Sequence, residues 1–309
     1  MKSTERSMTE IIPMNYCDAK KVVLTGATGL IGKEAVQPLI DSGFKIYAIS
    51  SKDMEANPDI CWLKGDLFSR KDIERIFQKI QPNYLLHFAW AATGDYLTSD
   101  INIDYLNASL EMLKTFHKHG GKRAVFAGTC FEYAFKSGPL KESDMLEPVT
   151  IYAKCKNELR ERAQEYCSNN DMSFGWGRIF YVFGRNENEK RLTAYIVDSL
   201  KNGKRIVINH GQLIRDYIYT KDVAGAFVKF LDANVSGCVN ICTGKTVFLG
   251  DYANKIAGKL GKMELLTVLN GLTDQPPVIA GDNSRLTGDV GYEIKYTLDR
   301  ALDDIIKGS

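Results

Sequence analysis

The sequence lacks the features that mark several classes of protein. No apolar run approaches the roughly 20 residues that span a bilayer, and the first residues, MKSTE, lack the apolar core of a secretory signal. Because 40 Lys and Arg stand against 38 Asp and Glu, the net charge of +2 gives no general attraction for nucleic acid or an acidic membrane. We therefore expect a cytoplasmic protein with neither as a partner, in which local groups hold any anionic ligand.

The sequence also has few patterns that bind metals or form disulfides. Its seven cysteines are scattered, and the closest pair, Cys238 and Cys242, has neither C-x-x-C spacing nor histidines nearby. Only four histidines occur, and His117 and His119 lie two apart in a helical pattern, so they point in different directions. We predict reduced core thiols and no metal.

A glycine motif near the start of the chain is its most informative feature. An apolar segment over 22–25, suited to a buried strand, runs directly into the letters TGATGLIG at 25–32. Gly26, Gly29 and Gly32 follow the spacing G-x-x-G-x-x-G, and a helix is predicted from about Leu30. Glycine lets the backbone approach a pyrophosphate, and a helix N-terminus receives its negative charge. The motif predicts a bound dinucleotide, although glycine loops also cap ordinary helices.

Strands and helices alternate along the first half of the chain. Strands are predicted at 22–25, 45–50, 60–63, 84–89 and 123–127, and helices at 30–42, 70–80, 99–119 and 150–169. This alternation predicts an α/β fold with a doubly wound parallel sheet. After residue 184 the pattern becomes irregular, with helices near 192–202 and 221–233 and strands at 205–208 and 238–242.

The pattern also suggests how the domains are arranged. We predict an N-terminal arm over 1–19, in which Ile11, Ile12 and Tyr16 could dock, and a dinucleotide-binding domain over 20–180 to which 211–243 returns. Residues 181–210 and 244–309 are predicted to form a smaller substrate-binding lobe. The chain of 309 residues, 44% of them hydrophobic, is long enough for two such lobes around a sizeable core.

A second chemical pattern is the sequence YAKCK at 152–156. In a helix this spacing of four places Tyr152 and Lys156 on one face, whereas Lys154 lies two residues away. An ammonium beside a phenol favours the phenolate, so we expect a lowered pKa at Tyr152 and proton exchange with an alcohol or carbonyl. The alternative is an exposed helix with scattered lysines.

Taken together, the motifs resemble the extended short-chain dehydrogenase/reductase family, whose members are NAD(P)-dependent nucleotide-sugar epimerases, dehydratases and ketoreductases. The resemblance runs from about Lys20 to the C-terminus. It is carried by Tyr152 and Lys156 and by TGATGLIG at 25–32, GDL at 65–67, LHFAW at 86–90, AGTCFEY at 127–133 and IRDYIYTKD at 214–222. It implies a Rossmann-type fold and a homodimer packed through the helices that contain 99–119 and 150–169.

The resemblance also implies a role for individual residues. Thr129, Tyr152 and Lys156 are the implied catalytic residues, with Thr129 bonding the reacting oxygen and Lys156 also bonding the nicotinamide ribose. The implied cofactor site comprises Gly26, Thr28, Gly29, Leu30, Ile31, Gly32, Asp66, Leu67, Phe88, Ala89, Tyr152, Lys156 and Phe180. The implied substrate site comprises Trp90, Thr129, Cys130, Tyr181, Arg191, Leu192 and Arg215, in which Arg215 grips a diphosphate and Tyr96 is a further lining candidate. Core packing for the aromatic residues, and an ion pair of Arg215 with Asp216 or Asp222, are the alternatives.

The end of the second predicted strand bears on the choice of cofactor. NAD enzymes place a carboxylate there for the ribose 2′-hydroxyl, but this chain has Ser50, Ser51 and Lys52 before its first acid, Asp53. Two hydroxyls and a cation suit a 2′-phosphate. We therefore favour NADP(H), with NAD(H) possible if Asp53 turns toward the ribose.

Departures from the family pattern bear on the reaction. Cys130 and Phe131 stand where the 4,6-dehydratases carry an Asp-Glu pair, and Glu132 is expected to face elsewhere because strand side chains alternate. Cys130 is three residues before Tyr133, whereas the epimerising cysteine of relatives is two before, so we expect a buried strand thiol. Tyr181 replaces an asparagine of many relatives.

The preferred hypothesis is therefore reduction of the C4 ketone of a nucleotide-linked 4-keto-6-deoxysugar, with Tyr152 as the general acid. The alternatives are a nucleotide-sugar 4-epimerase with retained NAD and a non-catalytic NADP-binding sensor or scaffold.

Overall fold

This computed structural model describes residues 20–92 and 94–308, so the arm predicted over 1–19 lies outside the described residues. Strands of the described part are β1 (Lys20–Thr25), β2 (Phe44–Ser50), β3 (Ile60–Lys64), β4 (Tyr84–His87), β5 (Arg123–Thr129), β6 (Ser173–Ile179), β7 (Tyr181–Phe183), β8 (Ile206–Ile208), β9 (Ile214–Arg215), β10 (Tyr217–Tyr219), β11 (Gly237–Ile241), β12 (Val247–Phe248), β13 (Leu266–Val268) and β14 (Val278–Ile279).

Helices of the same part are α1 (Gly32–Asp41), α2 (Arg70–Ile80), α3 (Ile101–Lys118), α4 (Ile151–Ser168), α5 (Leu192–Lys201), α6 (Thr220–Asp232), α7 (Leu249–Leu260), α8 (Ser284–Gly288) and α9 (Leu298–Lys307). Two short 3₁₀ helices cover Cys130–Glu132 and Met263–Leu265. Ser69 and Thr150 cap α2 and α4, since their side chains accept hydrogen bonds from the N–H groups of Asp72 and Ala153.

A seven-stranded parallel sheet forms the centre of the fold, in the order β11-β6-β5-β4-β1-β2-β3. This confirms the predicted doubly wound Rossmann-type α/β architecture. The strand order reverses between β1 and β4, because the chain leaves β1 toward β2 and later returns to β4 on its other side. A crevice at the carboxyl ends of the strands beside such a reversal is the usual ligand site of open α/β sheets.

Helices cover both faces of this sheet, which explains why its central strands β1, β4 and β5 are buried over most of their length. On one face, α1 and α6 pack against the sheet with Leu39, Phe227 and Phe230 buried. On the other face, α2, α3 and α4 bury Phe77, Phe116 and other apolar residues of their inner sides.

The later part of the chain builds small sheets beside the carboxyl edge of the large one. β7 pairs with β10, β8 with β13, and β9 lies between β12 and β14. A separate core joins α5, α7 and α9 through Ile196, Tyr252, Ile256 and Leu302. β11 returns to the edge of the large sheet beside β6. The exact domain boundaries of the sequence analysis stay a prediction.

None of the helices in the described ranges is both long and apolar enough to cross a membrane.

Candidate active site

The glycine turn after β1 brings the backbone of two loops into close contact. Gly26 has φ +72°, and a Cβ on it would lie 2.8 Å from the Ala89 nitrogen. A Cβ on Gly32 would lie 2.1 Å from the Gly26 carbonyl oxygen, so neither position accommodates a side chain without movement. α1 begins at Gly32 rather than near Leu30, because the chain first turns through a hydrogen bond from Gly29 N to Gly26 O of 2.9 Å. The amides at the start of α1 face the carboxyl edge of the sheet.

A cleft of about 500 Å³ opens at this edge, between the glycine turn and the later lobe. Its lining includes many predicted site residues: Gly26, Gly29, Leu30, Ile31, Gly32, Phe88, Trp90, Tyr96, Thr129, Cys130, Tyr152, Lys156, Phe180, Tyr181, Arg191, Leu192 and Arg215. The three residues implied as catalytic thus share one wall with the glycine turn. That volume lies within the range of small-molecule sites.

Thr129, Tyr152 and Lys156 reach the cleft from two elements. Thr129 ends β5, and its hydroxyl lies near the Tyr152 phenol and accepts a hydrogen bond from the Phe131 N–H at 3.3 Å. Tyr152 and Lys156 lie one turn apart near the start of α4. The Lys156 Nζ donates to the Ala127 carbonyl at 2.8 Å and lies 3.7 Å from the centre of the Trp90 ring.

The protonation of the pair differs from the expectation based on spacing. Burial raises the pKa of Tyr152 above its usual value, so the prediction that Lys156 lowers it was wrong. The reason is geometric: the lysine points to Ala127 and the indole, and the hydroxyl of Thr129 is the neighbour that favours the phenolate. Burial lowers the pKa of Lys156 to about 7. Tyr152 is therefore protonated near neutral pH, as a general acid must be.

This lysine should make the stability of the protein depend on pH. Since its pKa is about 7 when folded and 10.5 otherwise, the unfolded chain binds more protons between these values and stability rises with pH. Below pH 7 Lys156 is protonated in both the folded and the unfolded state, so it no longer makes stability change with pH. We expect the unfolding free energy of wild type minus that of Lys156→Met to grow by about 1 kcal/mol per pH unit from pH 7 to 10. Urea titrations across this range measure it.

Lys154→Met is the matched control, because Lys154 lies on the same helix but is exposed. Its difference from wild type should stay constant with pH. Parallel pH profiles for wild type and Lys156→Met would contradict the prediction.

Directly behind Thr129 lies a buried ion pair. Glu132 Oε2 lies 2.7 Å from Arg178 Nε, and both side chains are at most 1% exposed. Glu132 Oε1 also accepts from the Thr129 N–H at 2.9 Å and from Trp176 Nε1 at 3.0 Å. Glu132 therefore faces away from the cleft, as predicted, but through a 3₁₀ turn rather than strand alternation. It fixes the backbone of Thr129.

Cys130 is buried as expected, although it begins the 3₁₀ helix and is not a strand residue. Burial, with Glu132 and Asp216 nearby, raises the pKa of its thiol far above the usual range. The thiol borders the cleft in its neutral form, which disfavours a role as nucleophile or base.

Arg215 places a buried positive charge in the opposite wall. It is 2% exposed, and its guanidinium donates to the carbonyls of Ile214 and Pro277 at 2.8 and 3.3 Å and to Gln275 Oε1 at 3.2 Å. The guanidinium lies 5.4 Å from the centre of the Tyr181 ring, and burial raises the pKa of Tyr181 to about 12, so this phenol adds no negative charge. Among the described residues no carboxylate pairs with Arg215, so the suggested ion pair with Asp216 or Asp222 was wrong.

Asp216 and Asp222 instead accept hydrogen bonds from two other segments of the chain. Asp216 accepts hydrogen bonds from Thr243 and from the Gly244 N–H at 2.9 Å. Asp222 accepts from the Tyr292 hydroxyl at 2.9 Å and from two backbone N–H groups near residue 295. A buried cation without an acidic partner is costly unless a ligand supplies the anion.

Arg191 and Leu192 border the same end of the cleft. Arg191 Nε lies 3.2 Å from Glu187 Oε2, and its Nη2 donates to the Val182 carbonyl at 2.6 Å. Glu187 also accepts from the Ala194 N–H at 3.0 Å in the first turn of α5. This pair is neutral overall, which leaves Arg215 and Lys156 as the unpaired cations of the described lining.

Trp90 and Tyr96 lie on either side of the proposed acid. The ring centre of Tyr96 is 5.0 Å from that of Tyr152, and that of Trp90 is 6.4 Å away, both edge to face. Core packing alone therefore does not describe them, since both also border the cleft.

The remaining predicted cofactor residues lie along the same sheet edge but outside this cleft: Thr28, Ser50, Ser51, Lys52, Asp66, Leu67 and Ala89. Ser51 and Lys52 are exposed just after β2. Asp53, the acid that could turn toward a ribose, pairs with Lys64 at 2.9 Å. The sheet edge where a 2′-phosphate is expected therefore carries hydroxyls and a cation, while Asp53 is paired with Lys64.

Several lining residues escaped sequence reasoning. Glu187, His210, Tyr217 and Gln275 face the cleft from loops and short strands of the later lobe. Glu187, His210 and Gln275 follow no period and no spacing motif. Tyr217 lies within the motif at 214–222, but of that motif only Arg215 was assigned to the substrate site.

No group of three His, Cys, Asp or Glu side chains over 20–92 and 94–308 is arranged to hold a metal. His117 contacts the Tyr166 hydroxyl at 3.0 Å, and His119 contacts Glu74 at 3.0 Å. The two histidines thus face different neighbours.

The fold and the cleft define a dinucleotide-binding α/β protein of the short-chain dehydrogenase/reductase type. The chain belongs to the NAD dependent epimerase/dehydratase family, whose sequence model matches residues 22–242. This confirms the resemblance found in the sequence.

Curated relatives cover most of the chain at low identity. It is 24% identical over 231 residues to dTDP-6-deoxy-L-talose 4-dehydrogenase (NAD(+)) of Aggregatibacter actinomycetemcomitans, a match covering 72% of this chain and 84% of the relative. It is 26% identical over 221 residues to CDP-abequose synthase of Salmonella typhimurium, covering 68% and 70% respectively.

Solved structures share the fold over nearly the whole chain. UDP-glucose 4-epimerase of Thermotoga maritima superposes with a TM-score of 0.84 at 20% identity, covering 93% of this chain and 97% of that one. UDP-N-acetylglucosamine 4-epimerase of Methanobrevibacter ruminantium M1 gives 0.83 at 24% identity, covering 94% and 99%.

Proposed function

We propose that the protein reduces the C4 ketone of a nucleotide-linked 4-keto-6-deoxysugar with NADPH. The observation that carries this is the meeting of Thr129, protonated Tyr152 and Lys156 beside the glycine turn, in a cleft whose far wall holds an unpaired arginine. The relatives named as a deoxytalose 4-dehydrogenase and an abequose synthase support this class of substrate.

The residues present fit a nicotinamide dinucleotide. The turn at Gly26 and Gly32 leaves room only for backbone, and the start of α1 offers free N–H groups to a pyrophosphate. When bound, the nicotinamide supplies the hydride that reduces C4.

The side chains then complete the reaction at the sugar oxygen. Thr129 donates a hydrogen bond that orients the carbonyl, and Tyr152 gives its phenolic proton to the oxygen as negative charge develops there. Lys156, whose ammonium points to the Ala127 carbonyl and the Trp90 ring, offers donors to the cofactor ribose. Tyr152 afterwards regains a proton from solvent. Bound sugar and cofactor exclude water from this wall.

The surroundings of Thr129 disfavour dehydration. Elimination of water across C5 and C6 needs an acid and a base at that carbon pair, but Glu132 is buried in its pair with Arg178. The aromatic rings of Phe131, Tyr181 and Tyr217 stand in its place along the cleft. This apolar wall suits the methyl group of a 6-deoxysugar.

Arg215 is the proposed anchor for the substrate diphosphate. We expect Arg215→Met to raise KM for the nucleotide sugar about 10- to 100-fold, because a charge-assisted double contact is lost, with little change in NADPH affinity. Steady-state kinetics and nucleotide titration measure the two effects. Arg205→Met, at an exposed site on the same lobe, should behave as wild type. Equal loss of sugar and NADPH binding would contradict the assignment.

Lys52 is the proposed partner of a 2′-phosphate. We expect Lys52→Ala to lower kcat/KM for NADPH about 10-fold and to leave that for NADH unchanged, since only NADPH carries the phosphate. The ratio of the two nucleotides is the measurement. Lys45→Ala, near the start of β2 and away from the strand end that precedes Lys52, is the control and should preserve the ratio. A wild type that prefers NADH would overturn the cofactor assignment.

The function itself is tested with purified protein, NADPH or NADH, and a panel of nucleotide 4-keto-6-deoxysugars. We expect stoichiometric loss of absorbance at the nicotinamide band and a reduced sugar as product. Inversion of a nucleotide hexose without net cofactor change would instead establish a 4-epimerase, the alternative that the solved epimerase structures favour. Nucleotide binding without turnover of any substrate would favour the sensor.

A further inference from the structure

An indole stands directly over the lysine of the proposed active site. The Lys156 Nζ lies 3.7 Å from the centre of the Trp90 ring, within the range of a cation–π contact, and the lysine is only 3% exposed. The nearest other ring, Trp176, is 6.0 Å away. The carboxylate closest in electrostatic effect, Glu132, is already paired with Arg178. The face of Trp90 is thus the main contact for the ammonium besides the Ala127 carbonyl.

The indole is itself held in place by α3. Trp90 Nε1 donates to Asn102 Oδ1 at 2.7 Å, and the Asn102 amide donates to the carbonyls of Tyr96 and Ser99 at 2.7 Å each. The ring stacks on Tyr105 with centres 5.3 Å apart and planes 28° from parallel. The bond to Asn102 fixes the edge of the indole, whereas Tyr105 and the Lys156 ammonium lie against its faces. The orientation of Trp90 is therefore determined before any ligand arrives.

The backbone that carries Trp90 is also tied down. Ala89 N donates to Thr25 Oγ1 at 3.3 Å, and Thr25 Oγ1 contacts His87 Nδ1 at 2.6 Å. Ser109 Oγ donates its proton to the Tyr105 carbonyl at 2.6 Å. The hydroxyl oxygen of Ser109 must therefore accept a hydrogen bond from His87 Nε2–H, which lies 2.9 Å away. Thr25 accordingly donates to Nδ1. This chain of bonds joins the end of β4 to the same helix that holds the indole.

We propose that Trp90 is a positioning residue for Lys156, whose ammonium its indole face holds beside Tyr152 and the cofactor edge. This role rests on the proposed function and adds to it. A lysine has four rotatable bonds, so a fixed aromatic face reduces the freedom that it loses when it binds the ribose. Desolvated contacts of this kind are the strongest cation–π contacts.

A double-mutant cycle tests the proposal, using Trp90→Leu, Lys156→Met and the combined variant. We expect Trp90→Leu to weaken NADPH binding about 10-fold, and the combined variant to bind within about twofold of Lys156→Met alone. Trp90→Phe keeps an aromatic face but loses the bond to Asn102, so it should restore binding to within about threefold of wild type. Trp62→Leu, which removes a half-buried indole from β3, is the control and should bind normally.

Other results overturn the proposal. Multiplied losses in the combined variant would show that the two residues act independently. An effect of Trp90→Leu on KM for the sugar, with NADPH binding unchanged, would show that Trp90 only lines the sugar site.

The same four proteins, unfolded in urea without ligand, give a readout that does not depend on the reaction. Below pH 7, where Lys156 is protonated, we expect a coupling factor of about 5 to 10 between Trp90 and Lys156 in the unfolding equilibrium constant. A factor near 1 overturns the contact. If wild type binds neither nucleotide the proposed function fails, whereas this coupling still decides whether the indole holds the lysine.

Discussion

Replacing Tyr152 with phenylalanine should lower kcat about 10²- to 10⁴-fold while the fold and the affinity for NADPH are retained. The substitution removes only the phenolic hydroxyl, which lies near Thr129 in the cleft. In the proposed mechanism that proton reaches the sugar oxygen only as the hydride arrives, so kcat should fall much more than KM rises. Steady-state kinetics with a nucleotide 4-keto sugar and a separate NADPH titration measure both.

Tyr166→Phe is the matched control for this experiment. Tyr166 lies on the same helix, and its hydroxyl contacts His117 at 3.0 Å, far along the helix from the cleft. Its kcat should stay within about twofold of wild type, since it touches no reacting group. If Tyr152→Phe also retained wild-type turnover, another group would have to be the acid, and the mechanism proposed above would fail.

Replacing Glu132 with glutamine should cost about 3–5 kcal/mol of stability. The carboxylate balances the Arg178 guanidinium at 2.7 Å, and neither side chain is more than 1% exposed, so the variant leaves a buried charge without its counter-ion. The hydrogen bonds to Thr129 N and Trp176 weaken at the same time. Urea unfolding at neutral pH gives the difference in free energy.

Asp303→Asn serves as the comparison, because Asp303 pairs with Lys259 at 2.7 Å but is half exposed. Exposed ion pairs contribute at most about 1 kcal/mol, so this change should be small. A loss of similar size at both positions would show that burial does not set the cost. A glutamine variant as stable as wild type would mean that Arg178 finds another partner.

The relation between the two variants also separates stability from chemistry. Glu132 holds the backbone of Thr129 but does not face the cleft, so any fall in kcat for its variant should follow from displacement of Thr129. Tyr152→Phe should instead lose activity with an unchanged unfolding curve. These opposite patterns distinguish a supporting residue from a reacting one.

Secondary structure in the first half of the chain could be predicted because its signals are local. The strands that became β2 and β3 and the helix α2 were located within one or two residues, since apolar runs and helical periodicity act over neighbouring residues. The pairs β7–β10 and β8–β13 and the strip β9–β12–β14 use strands of two or three residues. Segments so short carry no periodic signal, so the later lobe could be anticipated only in outline.

The positions of candidate residues were predictable where spacing fixes geometry. Tyr152 and Lys156 share a helical face because of the helix period, and the glycines must meet the backbone that follows β4. The direction of the Tyr152 pKa shift was not predictable in this way. Spacing alone favoured Lys156 as its neighbour, but burial and the Ala127 carbonyl, which come from distant parts of the chain, reversed the result.

The sequence by itself determined the glycine turn, the alternating layers and the helical face that Tyr152 and Lys156 share, because each depends on local spacing or on backbone freedom at glycine. Only the tertiary structure decided that Glu132 turns inward to Arg178, that Arg215 is buried without an acidic partner, and that Trp90 covers Lys156. Charge balance and desolvation depend on which residues meet across the fold, and residues far apart in the chain meet only when it is folded.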